Sequence, residues 1–306
     1  MREIPFISSE EVEDRLSWSG VLNALEVAHR QPKADIDDVL FKHGDNAVLS
    51  RAAWIQGTGI AIKTATIFPG NANADTGLPT VQSIVTLFDD LTGSPVAILD
   101  GTLVTKWKTA GDSLLGSKLL ARPNSKRLAI LGAGSVASSL IDAYREVFPD
   151  LQHIAVWNHH FPKAQRLAKE KNITAVEDLE DIVRSSDIIS SATTAIEPFI
   201  QGEWIKPGTH IDLIGAFRPD MREAQDSVLV NGRIFVDSFE TALYDIGELG
   251  IPLRQGTILE SDVLGDFYDL CQAQVGRITD DEVTIFKNGG GAHLDLAVTA
   301  YIRGRL

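Results

Sequence analysis

Three cations stand where a surface residue is not the obvious reading. Lys63 lies inside the apolar run IAIKTATIF, Lys108 opens KWKTAGDS at the start of a helical stretch, and Arg51 ends another strand-like run. If they converge, they form a site for a carboxylate, held by charge-assisted hydrogen bonds. On pattern alone, a lysine within a strand is as readily a solvent-facing residue. The loop PGNANADTGLP, residues 69 to 79, is too polar for a core; it is either plain surface, or its Asn71 braces a substrate carboxylate or a neighbouring strand.

A second group of residues suits a different ligand. RLAILGAGSVASSLIDAYREVFPDLQHIAVWN, residues 127 to 158, reads as strand, glycine turn, helix and strand in one run. Gly132 permits the turn, Gly134 lets backbone approach a pyrophosphate, and Ala137 allows close packing of helix on strand. A helix from about Ser135 directs its N-terminal amides at those phosphates. The alternative is a parallel α/β domain with a small, empty turn. Asn158, 26 residues after Gly132, stands where an NAD-binding unit usually has Asp or Glu. Asn158 repels no phosphate, and His159 and His160 follow it, so NADP(H) is favoured over NAD(H); two exposed loop histidines are the plain alternative.

Elements that must position these residues follow from the surrounding pattern. Ser8 and Glu11 have capping-box spacing before an amphipathic stretch, which predicts a helix over about 10 to 29. Short β-rich runs from Ala47 to Asp100 predict a mostly antiparallel sheet, and Thr105 to Leu120 predicts a helix ending before Arg122-Pro123-Asn124. Strands and helices then alternate: a helix near Pro162 to Lys171, strands DIIS and THIDLIG, a helix after Asp220, strand RIFVD, another strand, three glycines and a helix from about Ala292. Such alternation builds a doubly wound parallel sheet. The fold class is therefore α/β.

Composition narrows the classes further. With 306 residues, 44% hydrophobic and 23% charged, the chain is ordinary globular protein of roughly two domains. A formal charge of -14 argues against nucleic acid and anionic membranes as partners, and no signal core or membrane-spanning run is present, so a cytoplasmic location is expected. Cys271 is the single cysteine, which excludes an internal disulfide and suits a buried apolar role. The seven histidines show no ligand spacing, so no metal is expected. Asp220 and Glu223 read as helix N-terminal acids in preference to a paired acid/base site. The glycines 289 to 291 either approach a cofactor or turn the chain.

Over nearly its whole length the sequence resembles the ornithine cyclodeaminase/mu-crystallin family. The resemblance rests on Lys63 with Phe68-Pro69-Gly70-Asn71, Leu78-Pro79-Thr80, Thr105-Lys106-Trp107-Lys108-Thr109-Ala110 before Ser113, and Gly132-Ala133-Gly134. It continues through Ala192-Thr193, Ile214-Gly215-Ala216 with Pro219 and Glu223, and Phe286-Lys287. It implies a substrate-binding and dimerising α+β domain, residues 1–121 plus 289–306, with a Rossmann domain, residues 122–288, inserted in it. It further implies Lys63 as the lysine that holds the substrate carboxylate, and Thr80, Thr109, Ser135, Val136, Asn158, Thr193 and Ile214, with Gly215 beside them, as cofactor contacts. A homodimer is implied as well.

Three departures from the family pattern matter. Lys108 replaces an arginine, which keeps the charge and loses the bidentate fork. The family's earlier substrate arginine has no clean counterpart, leaving Arg51 or Lys42 to replace it. Where cyclodeaminases carry a proton-moving aspartate after Gly-Gly, this chain reads Gly215-Ala216-Phe217-Arg218-Pro219. Phe217 moves no proton, and general acid/base groups supply ~100- to 10,000-fold, so a multi-step deamination should nearly vanish. The version Phe217 through Glu223 resembles the family's Δ1-pyrroline-2-carboxylate reductases. The leading expectation is NAD(P)H-dependent reduction of a small cyclic imino acid, five- or six-membered. Lys63 would bind the carboxylate and is the one candidate catalytic group, Lys108 and Arg51 would support it, and Phe217 would carry the ring's apolar face. The proton would come from an already protonated imine, from Lys63 or from water. Competing readings are ornithine cyclodeamination, an alanine or opine-type dehydrogenase, and a non-catalytic NADPH-binding protein.

Overall fold

A computed structural model describes residues 3–73 and 77–306. They form two compact units, Met1–Thr109 with Gly291–Leu306, and Ala110–Gly290. Helix Gly101–Leu120 carries the chain from one to the other, and the division falls within it, earlier than the Arg122-Pro123 break that the sequence offers. The helix's second half belongs to the second unit because of what it packs on. A side chain at Gly116 would meet the Phe286 ring at 2.5 Å, and Ser117 Oγ lies 2.5 Å from Tyr144 Oη.

In the first unit, strands β1 (Phe6–Ile7), β2 (Asp35–His43), β3 (Asn46–Ile55), β4 (Gly59–Ile67), β5 (Val81–Phe88) and β6 (Pro95–Asp100) form one sheet in the order β1-β6-β5-β4-β3-β2. It is antiparallel except for the β1–β6 edge, as the short β-rich runs require. Helix Ala292–Arg303 covers one face, which buries Ala53, Ile55, Ala61, Ala65, Val85 and Leu87, and helix Trp18–His29 packs against that helix. The opposite face leaves Phe41, Trp54, Ile62 and Ile84 exposed. The helix expected over 10 to 29 is broken: Ser9–Val12 and a 3-10 turn precede an extended Leu16, and Ser17 restarts the helix by accepting from Gly20 N at 3.1 Å. Capping-box spacing at Ser8 sets the first start, and the second N-cap resets the axis.

In the second unit, β7 (Arg127–Leu131), β8 (His153–Trp157), β9 (Thr174–Ala175), β10 (Ile188–Ser191), β11 (His210–Leu213), β12 (Arg233–Val236) and β13 (Thr284–Lys287) form a wholly parallel sheet ordered β12-β13-β11-β10-β7-β8-β9. Near-continuous apolar runs such as Leu128–Leu131 are what a sheet covered on both faces demands. The order reverses between β7 and β10, and that switch point is where such sheets bind ligands. After Asp220 the chain runs irregularly and forms only the short helix Asp226–Leu229, in place of the expected longer one. Among the described residues no helix is long and apolar enough to cross a membrane.

Candidate functional site

Strand parity decides the fate of the cations in the first unit. Lys63 shares the covered face with Ala61 and Ala65, and Arg51, mid-strand and not at a strand end, is its register partner on β3. The solvent-facing alternative for Lys63 is thereby overturned: its side chain is only 11% exposed. Helix Ala292–Arg303 lies over this face and places Asp295, 1% exposed, against it. Lys63 Nζ donates to Asp295 Oδ1 at 3.0 Å and to Thr105 Oγ1 at 2.7 Å. Burial lowers the Lys63 pKa from its usual value; Asp295 opposes that shift, while the charges of Lys108 and Arg51 add to it. The three cations are thus close enough to feel one another.

Their partners do not balance them. Arg51 Nε and Nη2 donate to Asp38 Oδ2 at 2.9 and 2.6 Å, and Lys63 is paired with Asp295. Lys108 is 9% exposed and has no ion pair or hydrogen-bond acceptor among the described residues. Nearby His293 is buried, and burial holds its pKa well below the ordinary value, so it adds no charge. The Lys108 ammonium has no ion pair of its own among the described residues, in a place where a lone charge is costly, with buried Asp112 four residues on along the same helix. A ligand's carboxylate group would complete the set. Lys42 lies exposed on β2. Asn71 Nδ2 donates to Pro79 O at 2.9 Å, so the side chain braces its own loop. Thr80 and Thr109 are half-buried residues of the first unit.

The second unit carries a groove of about 690 Å³ at the C-terminal ends of its strands. Gly132, Ala133 and Gly134 after β7, Asn158, His159 and His160 after β8, and Ala192, Thr193, Thr194 and Ala195 after β10 line it, with Trp157, Lys163 and Phe199. Gly132 takes φ 119°, and a Cβ there would meet Ala192 O at 2.5 Å, so only glycine closes this turn. Gly134 has nothing within 4 Å of a Cβ position. As N-cap of helix Ser135–Val147 it offers no side-chain acceptor, so the first-turn amides, with Ser135 and Val136 beside them, face open space. Open space, bare amides and the positive helix end are what a pyrophosphate fits. The residues present therefore fit a dinucleotide.

At the groove's far end, Asn158 Oδ1 accepts from His160 N at 2.9 Å and so shapes the loop. Lys163, in the first turn of helix Phe161–Lys171, joins the two exposed histidines there and was not singled out by the sequence; its place just after Pro162 at a helix start was the available signal. Asp295 was missed as well. An acid inside the otherwise apolar AHLDLAVTAYI was its signal, but its partner lies 232 residues away.

Beyond the strand ends, Ile214 and Gly215 follow β11 half-buried, and Phe217 is 63% exposed beside Arg218. Asp220 is exposed, pairs with Arg218 at 2.9 Å and stands at no helix N-terminus, since the next helix begins at Asp226. Glu223 corrects the reading as a helix N-terminal acid: it is fully buried and belongs to no helix, and burial, then the charge of Glu248, push its pKa up to about 7. Lys287, also fully buried, donates to Leu213 O at 2.9 Å and Ala216 O at 2.8 Å, fixing the turn after β11. The glycines at 289 and 290 turn the chain, their amides donating to Asp237 at 2.8 and 2.5 Å. Cys271 is buried, and no group of three or more metal-binding side chains gathers among the described residues.

This geometry has close relatives. The chain is 48% identical, over 97% of its length and 95% of the relative's, to a Δ1-pyrroline-2-carboxylate reductase of Paracoccus denitrificans. The structure of Thermococcus litoralis Δ1-pyrroline-2-carboxylate reductase in complex with NADH and L-proline matches with TM-score 0.89 and 27% identity, covering 99% of this chain and 97% of that one. An archaeal alanine dehydrogenase dimer with bound NAD matches with TM-score 0.90 and 29% identity, covering 99% and 96%. Together with a family model that matches residues 26–306, these likenesses place the chain in the ornithine cyclodeaminase/mu-crystallin family, to which it belongs.

Proposed function

We propose that the protein is an NAD(P)H-dependent imine reductase that converts Δ1-pyrroline-2-carboxylate to L-proline, with the six-membered homologue as a second substrate. The observation that carries this reading is the cation cluster in the first unit: of three buried or half-buried cations, Arg51 and Lys63 are paired with Asp38 and Asp295, and Lys108 is left for a substrate carboxylate group. Lys63, oriented by Asp295 and Thr105, and Lys108 hold the substrate carboxylate, with Arg51 in support. In the second unit, Gly132, Gly134, Ser135, Val136, Thr193, Ile214 and Gly215 hold the cofactor. When bound, the reduced nicotinamide supplies a hydride to the imine carbon. An imine that enters already protonated needs no protein acid, which agrees with Phe217 at the position where deaminases carry an aspartate. Phe217 is an exposed apolar ring, and Asn71 is tied to Pro79 O.

The cofactor preference we propose is NADP(H), supported by Asn158 in place of an acid and by His159, His160 and Lys163 at the same end of the groove. A homodimer is supported by the uncovered sheet face bearing Phe41, Trp54, Ile62 and Ile84, an apolar patch of the kind that marks interfaces. A single buried cysteine and an acidic surface suit the cytoplasm. The direct test mixes purified protein with Δ1-pyrroline-2-carboxylate and NADPH or NADH and follows the cofactor's absorbance; consumption with NADPH ahead of NADH is expected, and no consumption with either overturns the reading. Likeness to the archaeal alanine dehydrogenase makes pyruvate plus ammonia the necessary comparison substrate, expected to be the slower one.

A further inference from the structure

Glu223 does not line the groove, yet it is tied to the backbone that does. Its Oε1 accepts from Ser191 Oγ at 2.6 Å, Thr193 N at 2.8 Å and Thr193 Oγ1 at 2.7 Å, and its Oε2 accepts from Gly215 N at 2.7 Å. Ser191 is the last residue of β10, Thr193 lines the groove, and Gly215 follows β11. The carboxylate is itself held in place, because Glu223 N and Ala224 N donate to the two oxygens of buried Glu248 at 2.7 and 3.0 Å. No slack remains at the junction: a side chain on Gly215 would stand 2.3 Å from Thr193 O and 2.4 Å from Glu223 Oε1.

We propose that Glu223 is a positioning residue for cofactor binding, locking the ends of β10 and β11 so that Thr193 and Gly215 present one fixed wall of the groove. Burying a carboxylate among neutral donors is an expensive way merely to fill space, since an apolar side chain would pack there without desolvating a charge. What the carboxylate alone provides is four acceptor sites that clamp two loops at once. The inference rests on reading the groove as the nicotinamide cofactor's site. It does not depend on which imine is reduced.

The test uses the full chain carrying Glu223→Gln, Glu223→Ala or, as a control for general destabilisation, Ile258→Ala in the same unit's core. Glutamine keeps the shape but must aim an N–H at one of two backbone donors, Thr193 N or Gly215 N. Affinity for NADH and NADPH is read by fluorescence titration, thermal stability by melting, and kcat and KM by imine reduction. Glu223→Gln is expected to weaken cofactor binding about tenfold and Glu223→Ala up to ~100-fold, the scale of a misplaced binding wall. KM for the imine, measured at saturating cofactor, should stay within about twofold, and Ile258→Ala should lose melting temperature without losing cofactor affinity. Unchanged cofactor affinity in Glu223→Gln overturns the proposal, and so does an equal affinity loss in an Ile258→Ala protein of matching stability. Should Glu223→Ala not fold, Glu223→Gln decides alone. A wild type that binds cofactor and reduces no imine sinks the substrate reading, while the titrations still judge Glu223.

Discussion

In the first unit the candidate site is made of charged side chains: Lys63 and Arg51 on one covered sheet face, with Asp295 and Lys108 brought near them by helices. In the second it is made of backbone and small residues, Gly132, Gly134, Ala192 and Thr193, with charge confined to one end at Lys163. The difference follows from the ligands each site suits. A carboxylate is recognised by opposite charge whose strength depends on burial and protonation, so single side chains carry much of the effect. A pyrophosphate is recognised by amides and a helix end, so what matters is that no side chain stands in the way. Substitutions should therefore act differently in the two regions, and the sharpest tests exchange those sensitivities.

The largest effect is expected from Lys63→Met. It removes the carboxylate's main partner and leaves Asp295 buried without its counter-charge, at a stability cost of about 3–5 kcal/mol. Imine kcat/KM should fall roughly a hundredfold or more while cofactor titration stays unchanged; a parallel loss of cofactor affinity would break the distinction between the units. The same lysine gives a pH signature. Its pKa is lowered chiefly by burial, so the ammonium is lost, and imine KM rises, at a lower pH than an exposed lysine would dictate. A KM profile that is flat until the ordinary lysine range would count against its role.

Gly134→Val comes next and probes shape. Nothing within 4 Å opposes a Cβ there, so melting temperature should change little, yet the new side chain occupies the approach to the amides. Cofactor affinity should drop by roughly tenfold to thirtyfold, from the loss of one or two charge-assisted hydrogen bonds. Lys108→Met should raise imine KM by about tenfold and, because it removes an ammonium with no partner among the described residues, leave stability equal or raise it by about 1 kcal/mol in ligand-free melting. The smallest effect is expected from Asn158→Asp. Aspartate can still accept from His160 N, and it adds a negative charge at the groove's far end, so the NADPH to NADH ratio of kcat/KM should shift severalfold toward NADH. An unchanged ratio would show that this end of the groove does not read the phosphate.

Much of the second unit was legible because its signals are local. Leu128–Leu131, Gly132, Gly134 and the helix from Ser135 are contiguous, and each imposes its own geometry on the next. The helix over 10 to 29 failed for the converse reason, since Ser17 acts as a cap through a hydrogen bond that hydrophobic periodicity does not report. Glu223 was misread in the same way. Pro219 and nearby acids resemble a helix start, while the donors that hold Glu223, at Ser191, Thr193 and Gly215, come from strand ends up to 32 residues away.

The sequence by itself determined the alternation that builds the parallel sheet, the glycine turn at its switch point, and the absence of a proton-moving group at Phe217, all of which depend on residue type and near neighbours. Only the tertiary structure decided which way Lys63 points. Strand parity, register with Arg51 and the covering helix that brings Asp295 turned an ambiguous lysine into a buried ion pair. Burial is a property of what packs from elsewhere in the chain, and charge balance in a site depends on partners that sequence distance hides.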